Sequence, residues 1–158
     1  MATSAAPAGV KRLLRSLRSC EIIALDTMIF AYHLMDHPRY AALSSAVLGL
    51  VESGAVQAVT STLTLAELLT RAAQANDPQA MRDYETLLTR FPHLTLMPMD
   101  VDVARRVAVL RGTANARMAD AVQVATAQHA GADALLSNDY AWRSWAVQPK
   151  LILLGDYA

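Results

Sequence analysis

The chain has 158 residues, of which 54% are apolar, so one domain with a full hydrophobic core is expected. Its 14 Lys and Arg residues balance its 14 Asp and Glu residues, which excludes the overall cationic field that drives non-specific binding to nucleic acids. The lone cysteine, Cys20, excludes an intrachain disulfide framework and indicates a reducing compartment, so a cytoplasmic location is expected.

Residues 1–20 differ in composition from the rest of the chain. A stretch of Ala, Ser and Pro leads into the basic run KRLLRSLR, and the segment contains no acidic residue. No continuous apolar stretch follows the basic run, which argues against a secretory signal, although the Arg and Ser content also resembles an organelle transit peptide. We interpret the segment as an N-terminal basic arm, either flexible or a short amphipathic helix with Leu13, Leu14 and Leu17 on one face. The domain is expected at 21–158. No later segment is long and apolar enough to span a bilayer, so no membrane partner is expected.

The first half of this domain predicts two strands, each followed by helices. The apolar run at 21–25 ends at Asp26 and predicts a buried strand. The next helix, at 28–35, stops before Pro38, because a residue that precedes proline avoids the helical region. A helix at 40–52, a strand at 55–60, and helices at 62–75 and 78–90 follow, bounded by Ser53-Gly54, by Ser61 or Thr62 as an N-cap, and by Asp77-Pro78.

The second half continues the alternation. Helical connections of this length between strands imply right-handed crossovers. The predicted fold is therefore α/β and single-domain, with a central, mainly parallel sheet of about four to five short strands flanked by helices. The elements are a strand at 94–97, a helix from the Asp100 cap to Arg111 ended by Gly112, a helix at 118–130 closed by Gly131, strands at 134–136 and 150–154, and a helical or turn segment around Trp142 and Trp145.

Four acidic residues lie at the edges of apolar segments. Asp26 and Asp139 follow predicted strands, Glu67 lies one or two turns after another, and Asp120 lies in the first turn of a helix. In a parallel sheet, such positions gather at the carboxyl ends of the strands. Carboxylates are costly to desolvate and repel one another, so their clustering makes physical sense when a divalent cation compensates their charge. We therefore predict one metal site.

Each acid also has an ordinary structural explanation. Asp26 could cap the following helix, Asp120 could complement a helix dipole, and Asp139 could form an Asx turn. Glu67 is the exception, because in TLAELL it is the one charge on an apolar helical face. Its position therefore favours a functional role over a structural one.

Arginines collect just before Asp120, at positions that include Arg111 and Arg117. A phosphate that approaches carboxylates and a metal ion needs cations nearby, so these two are candidate phosphate ligands. A solvated helix face is the alternative explanation.

Other chemistry lacks the residues that it requires. His33 and His37 are spaced like zinc ligands on a helix, but Leu34 stands where that motif has a glutamate and Pro38 interrupts the helix. The sequence contains no glycine-rich phosphate loop, nucleophile elbow or CxxC motif. P-loop nucleotide hydrolysis, serine hydrolysis and thiol redox chemistry are therefore excluded.

The order and contexts of the four acids resemble those of the PIN domain nucleases, especially the toxins of the VapC type, over about 22–154. The sequence departs from the family pattern at Ser137, where Thr is commoner, and in its N-terminal arm. The motifs that carry the resemblance are IIALDT with Asp26 and Thr27, AVTSTLTLAELLTR with Glu67, MADAVQVATAQHAGAD with Asp120, and ALLSNDY with Ser137, Asn138 and Asp139.

The resemblance implies an endoribonuclease that depends on Mg²⁺, with Mn²⁺ as the other candidate cofactor. All four acids are expected to be catalytic. Asp26 and Asp120 are the expected metal ligands, with Glu67 and Asp139 binding directly or through water. Hydrogen bonds from Thr27, Ser137 and Asn138 are expected to orient these groups.

The resemblance also implies partners: RNA, a cognate antitoxin protein and a second copy of the chain. Apolar residues on two helices, Leu43, Val47, Leu48, Leu87 and Leu88, give modest support to a homodimer, with burial in the core as the alternative. Two other functions stay open. One is an RNA-processing or flap-type nuclease outside a toxin-antitoxin pair, and the other is a module that binds RNA or protein with little cleavage.

Overall fold

A parallel sheet organises the chain in the computed structural model, which describes residues 6–145 and 148–158. Within that part of the chain the sheet has five strands in the order β3-β2-β1-β4-β5, and every neighbouring pair is parallel. This confirms the predicted α/β fold. The first residues of the N-terminal arm, 1–5, lie outside the described residues. The strands are β1 (Ile22–Leu25), β2 (Gln57–Ser61), β3 (Leu94–Met97), β4 (Ala134–Ser137) and β5 (Lys150–Leu153).

Helices connect the strands, and polar caps set where several of them begin. The Ser61 hydroxyl accepts from the Leu63 N–H, as predicted, and Asp77 and Asp100 cap the helices that follow them in the same way. The helices are α1 (Ala8–Leu17), α2 (Thr27–Leu34), α3 (Ala41–Glu52), α4 (Thr62–Gln74), α5 (Pro78–Arg90), α6 (Val101–Ala114) and α7 (Met118–His129), with 3₁₀ turns at Tyr140–Trp145 and Leu154–Asp156.

The end of α6 differs from the prediction. The helix continues through Gly112 to Ala114 and stops at Asn115, whose φ of 51° is left-handed. A glycine inside a helix costs only about 1 kcal/mol relative to alanine, so it does not by itself end one. The buried residues Val107 and Leu110 hold this part of α6 in the core.

The two faces of the sheet carry separate cores. In β1, Ile23 and Leu25 pack with the helices on one face, whereas Ala24 faces the other. The same alternation occurs in β4, where Leu136 faces the first core and Leu135 the second. Because both faces are covered, β1 and most of β4 are continuous apolar runs in the sequence.

Helix α1 packs on the first of these cores. Val10, Leu13 and Leu17 are buried, which agrees with a helix that has one apolar face. A Cβ atom at Gly9 would lie 1.8 Å from the carbonyl oxygen of Tyr157, so glycine permits α1 to approach the C-terminal turn closely. The division of the chain into an arm and a domain at residue 20 stays a prediction.

The apolar residues that gave support to a homodimer belong to the core of one chain. Among the five, all except Leu87 are buried, and Leu87 is partly buried against the same core. These residues therefore give no argument for an interface.

Within the described part of the chain, the helices are too short or too polar to cross a membrane.

The position of β1 sets the place of the site. It is paired with β4, and the connection that leaves β1 runs to β2 on one side of this pair, whereas the connection that leaves β4 runs to β5 on the other. Ligands of open α/β sheets bind at such a switch point, outside the carboxyl ends of the strands. Asp26 directly follows β1 at this point.

Candidate metal centre

One pocket of about 420 Å³ brings together the four predicted acids. They come from four places in the chain: the end of β1, the second turn of α4, the first turn of α7 and the loop after β4. Thr27 and Arg117 also line this pocket. Four further residues that line the pocket were not predicted as site residues: Met28, Thr70, Arg71 and Trp142.

Asp26 is the most deeply buried of the four carboxylates, with 7% of its surface exposed. Its backbone N–H donates to the Leu136 carbonyl at 3.0 Å, which ties the end of β1 to β4. One side-chain oxygen accepts from the Thr27 N–H at 2.7 Å, and the other accepts from the Ser137 hydroxyl at 2.6 Å. Asp26 therefore does cap α2 while its second oxygen points toward β4.

Burial raises the pKa of Asp26 to about 6, although the hydrogen bonds from Ser137 and Thr27 oppose this rise. The negative charges of Glu67 and Asp120 raise the pKa further. The protein thus holds a carboxylate where its charge is unfavourable. A positive charge in the pocket would remove this cost.

Glu67 contacts Thr27, the residue that follows Asp26. The Thr27 hydroxyl donates to Oε2 of Glu67, which joins the start of α2 to α4. Behind this pair lies Gln123 on α7, whose side-chain amide reaches Thr27 Oγ1 at 3.1 Å and Thr64 Oγ1 at 3.0 Å. Gln123 was not among the predicted site residues. Its sequence signal is a spacing of three residues from Asp120, which places both on one helical face.

Arg117 bridges the other two acids. Its Nε donates to Oδ2 of Asp120 at 2.8 Å, and its Nη2 lies 3.7 Å from Oδ2 of Asp139. The Asp139 Oδ1 accepts from the Ala141 N–H at 2.9 Å, so Asp139 also forms the Asx turn that was its structural alternative. The Arg117 side chain is 79% exposed and lies at the edge of the pocket.

Two predicted site residues lie elsewhere. Arg111 lines a separate depression with Met99 and Met118 and is not among the residues that line the pocket of the acids. The amide of Asn138 donates to the Tyr32 hydroxyl at 3.1 Å and accepts from the Gly155 N–H at 2.9 Å. Its hydrogen bonds in the described structure therefore hold the loop after β4 and reach none of the four acids.

The donor set of the pocket fits a hard divalent cation. Carboxylate oxygens from separate segments, one of them buried at a cost, are the ligands that Mg²⁺ and Mn²⁺ accept. The acids face the same space without converging on a single point. Within residues 6–145 and 148–158, the one group with three ligand atoms inside 4.8 Å is Asp100, Asp102 and His129, at the outer ends of α6 and α7 and outside the pocket.

Comparisons with known proteins agree with the fold. Residues 23–147 match the family model described as PIN domain. No curated protein sequence matches the chain. Among solved structures, VapBC2 of Rickettsia felis bound to promoter DNA is 17% identical in sequence, with a TM-score of 0.67. The match covers 84% of this chain and 98% of the VapBC2 chain.

Two further structures show the same fold. FitAcB of Neisseria gonorrhoeae is 20% identical with a TM-score of 0.65, over 84% of this chain and 98% of that one. VapC20 of Mycobacterium tuberculosis, described as a Sarcin-Ricin loop cleaving toxin, is 15% identical with a TM-score of 0.61, over 80% of this chain and 99% of that one.

Proposed function

We propose, since the chain belongs to the PIN domain family, that it is a metal-dependent endoribonuclease that hydrolyses RNA phosphodiester bonds. The observation that carries the proposal is the meeting of Asp26, Glu67, Asp120 and Asp139 in one pocket, although they are far apart in sequence. A fold alone does not imply an activity. The acids supply the chemistry that the fold leaves open.

Asp26 and Asp120 are the proposed metal ligands, with Glu67 and Asp139 binding directly or through water. Mg²⁺ or Mn²⁺, when bound here, would stabilise charge on the scissile phosphate and lower the pKa of a water molecule for in-line attack. Ser137 holds Asp26 through its hydroxyl and accepts from the Asp139 N–H at 3.1 Å, so one side chain positions two acids.

Arginine supplies the positive charge for the substrate. Arg117 lies at the pocket edge with an exposed guanidinium, and Arg71 of α4 lines the same pocket. A guanidinium pairs well with phosphate because its N–H groups match two oxygens. We propose these two residues as phosphate ligands, with Arg71 in the place that the sequence analysis gave to Arg111.

The proposed biological role is the toxin of a type II toxin-antitoxin pair in the cytoplasm. Support comes from the solved structures of this fold, which are described as VapBC complexes and a cleaving toxin. The proposed partners are RNA, a cognate antitoxin and a second copy of the chain. We expect a neighbouring reading frame that encodes a short protein with a DNA-binding half. This protein should bind the chain and suppress its cleavage of RNA.

The activity is tested by incubating purified protein with structured and unstructured RNA. Cleavage should require Mg²⁺ or Mn²⁺, stop with EDTA, and be lost in Asp26→Asn and Asp120→Asn. Asp83→Asn is the matched control, because Asp83 is exposed on α5 and hydrogen-bonds only locally to Gln79 within the described structure. RNA binding without cleavage by the unaltered protein would identify a binding module, and full activity of either pocket variant would exclude the proposed site.

A further inference from the structure

A buried polar network lies behind the pocket and includes a residue to which the proposed mechanism gives no role. Gln123 is 4% exposed and lies among the buried, mostly apolar residues of α7. Its Nε2 contacts the hydroxyls of Thr27 and Thr64, which are also buried. Buried amides are retained only where hydrogen bonds compensate their desolvation, so the partners of Gln123 define what it does.

The carboxylate of Glu67 sets the direction of these hydrogen bonds from one side. An ionised carboxylate only accepts, and a threonine hydroxyl has one proton to donate. The Thr27 hydroxyl bonds to Glu67, so its proton points there. Toward Gln123, Thr27 can therefore only accept, which requires the NH₂ end of the Gln123 amide to face it.

The other end of the network gives the same direction. The Thr60 hydroxyl donates to the Leu25 carbonyl at 2.7 Å, so at its 2.8 Å contact with Thr64 it must accept. The proton of Thr64 is thereby committed to Thr60. Thr64 then only accepts from Gln123, and it cannot donate to Thr27, which lies 3.2 Å away.

We propose that Gln123 is a positioning residue, which acts through Thr27 to hold the Glu67 carboxylate toward the metal site. Its two N–H groups occupy the acceptor positions of both threonines, so the Thr27 proton is directed to Glu67. An apolar side chain at this position leaves the Thr27 hydroxyl free to rotate toward Thr64. The inference rests on the proposed function, because it assigns Glu67 to the cation.

The test measures Mn²⁺ affinity by calorimetry, so that it does not depend on cleavage. Gln123→Met keeps the length of the side chain and removes both donors, and should weaken Mn²⁺ binding by about three- to tenfold, since hydrogen bonds to metal ligands set their orientation. Thr27→Val removes the link itself and should weaken binding by about tenfold. Because both act on Glu67 along one path, the double variant should match Thr27→Val alone.

Gln128→Met is the matched control on the same helix, since Gln128 bonds to the Gln148 carbonyl outside the pocket and its loss should leave affinity unchanged. Wild-type affinity in Gln123→Met, or losses that multiply in the double variant, would overturn the inference while leaving the nuclease proposal intact. Wild-type protein that neither binds Mn²⁺ nor cleaves RNA would refute the proposed function itself.

A second measurement covers the case in which Gln123→Met does not fold. In ¹⁵N-labelled wild-type protein, both side-chain amide protons of Gln123 should exchange slowly with water, and their signals should shift when Mg²⁺ is added. Fast exchange, or signals that Mg²⁺ leaves in place, would overturn the inference.

Discussion

Replacing Asp26 by asparagine should stabilise the metal-free protein near neutral pH, although it removes a proposed metal ligand. Burial raises the pKa of this carboxyl from 3.8 to about 6. The folded state therefore binds more protons than the unfolded state between those values, so stability falls as pH rises through this window and stays low above it. A shift of this size corresponds to about 3 kcal/mol.

The expected gain is smaller than that figure. Asparagine keeps an acceptor for the Thr27 N–H but replaces the oxygen that accepts from Ser137, and a lost hydrogen bond costs about 1 kcal/mol. Asp26→Asn should therefore raise the free energy of unfolding in EDTA by about 2 kcal/mol near neutral pH. Near pH 4 the gain should largely disappear, since the folded wild-type protein is then mostly protonated at Asp26.

Urea denaturation at the two pH values, with EDTA, measures both numbers. Mg²⁺ should reverse the order, because it binds the folded wild-type protein and lacks a ligand in the variant. At a hundred times its dissociation constant it contributes about 2.7 kcal/mol, which exceeds the expected gain of the variant. Asp83→Asn should change nothing at either pH. Two results would refute the reasoning about the buried charge. One is an Asp26→Asn protein that is less stable than wild type near neutral pH, and the other is a stability difference between variant and wild type that is the same at both pH values.

Three further outcomes are expected. Asp120→Asn should lower RNA cleavage by at least about a hundredfold with an unchanged circular dichroism spectrum, and retained cleavage would remove Asp120 from the site. Arg117→Gln should raise KM for RNA more than it lowers kcat, because it removes a phosphate contact, and an unchanged KM would assign Arg117 only to Asp120 and Asp139. Gly9→Ala should lower the free energy of unfolding by about 1–3 kcal/mol, because its Cβ would meet the Tyr157 carbonyl, whereas Gly49→Ala in α3 has open space and should raise it by about 0.5–1 kcal/mol; equal effects in thermal denaturation would contradict the contact.

The strands and most helices could be predicted because their signals are local. Apolar runs of four or five residues, and caps such as Ser61, Asp77 and Asp100, lie within or beside the elements that they define. The end of α6 could not be predicted in this way. The burial of Val107 and Leu110 holds this part of the helix in the core, so it continues beyond Gly112. The local sequence does not show which side of a helix is packed.

The same contrast between signals in the sequence and contacts in the fold applies to the residues of the candidate site. Asp26, Glu67, Asp120 and Asp139 could be grouped because parallel sheets bring the ends of their strands together. Gln123 has only a weak signal, its spacing of three residues from Asp120, because a single amide on an alanine-rich helix reads as a surface residue until its neighbours are known. Arg111 is close to Asp120 in sequence but lines a different depression from the pocket of the acids, because closeness in sequence does not fix the direction of a side chain on a helix.

The sheet order also makes the site divisible. The exposed loop at 98–100 separates β3 from α6, with Asp26 and Glu67 before it and Asp120 and Asp139 after it. A cut there yields two fragments that each carry half of the acids, and they meet through the pairing of β1 with β4 and the packing of α7 against β2. If the proposed activity needs all four acids, neither fragment would cleave RNA alone, and cleavage would then report that two partners fused to the fragments have bound each other.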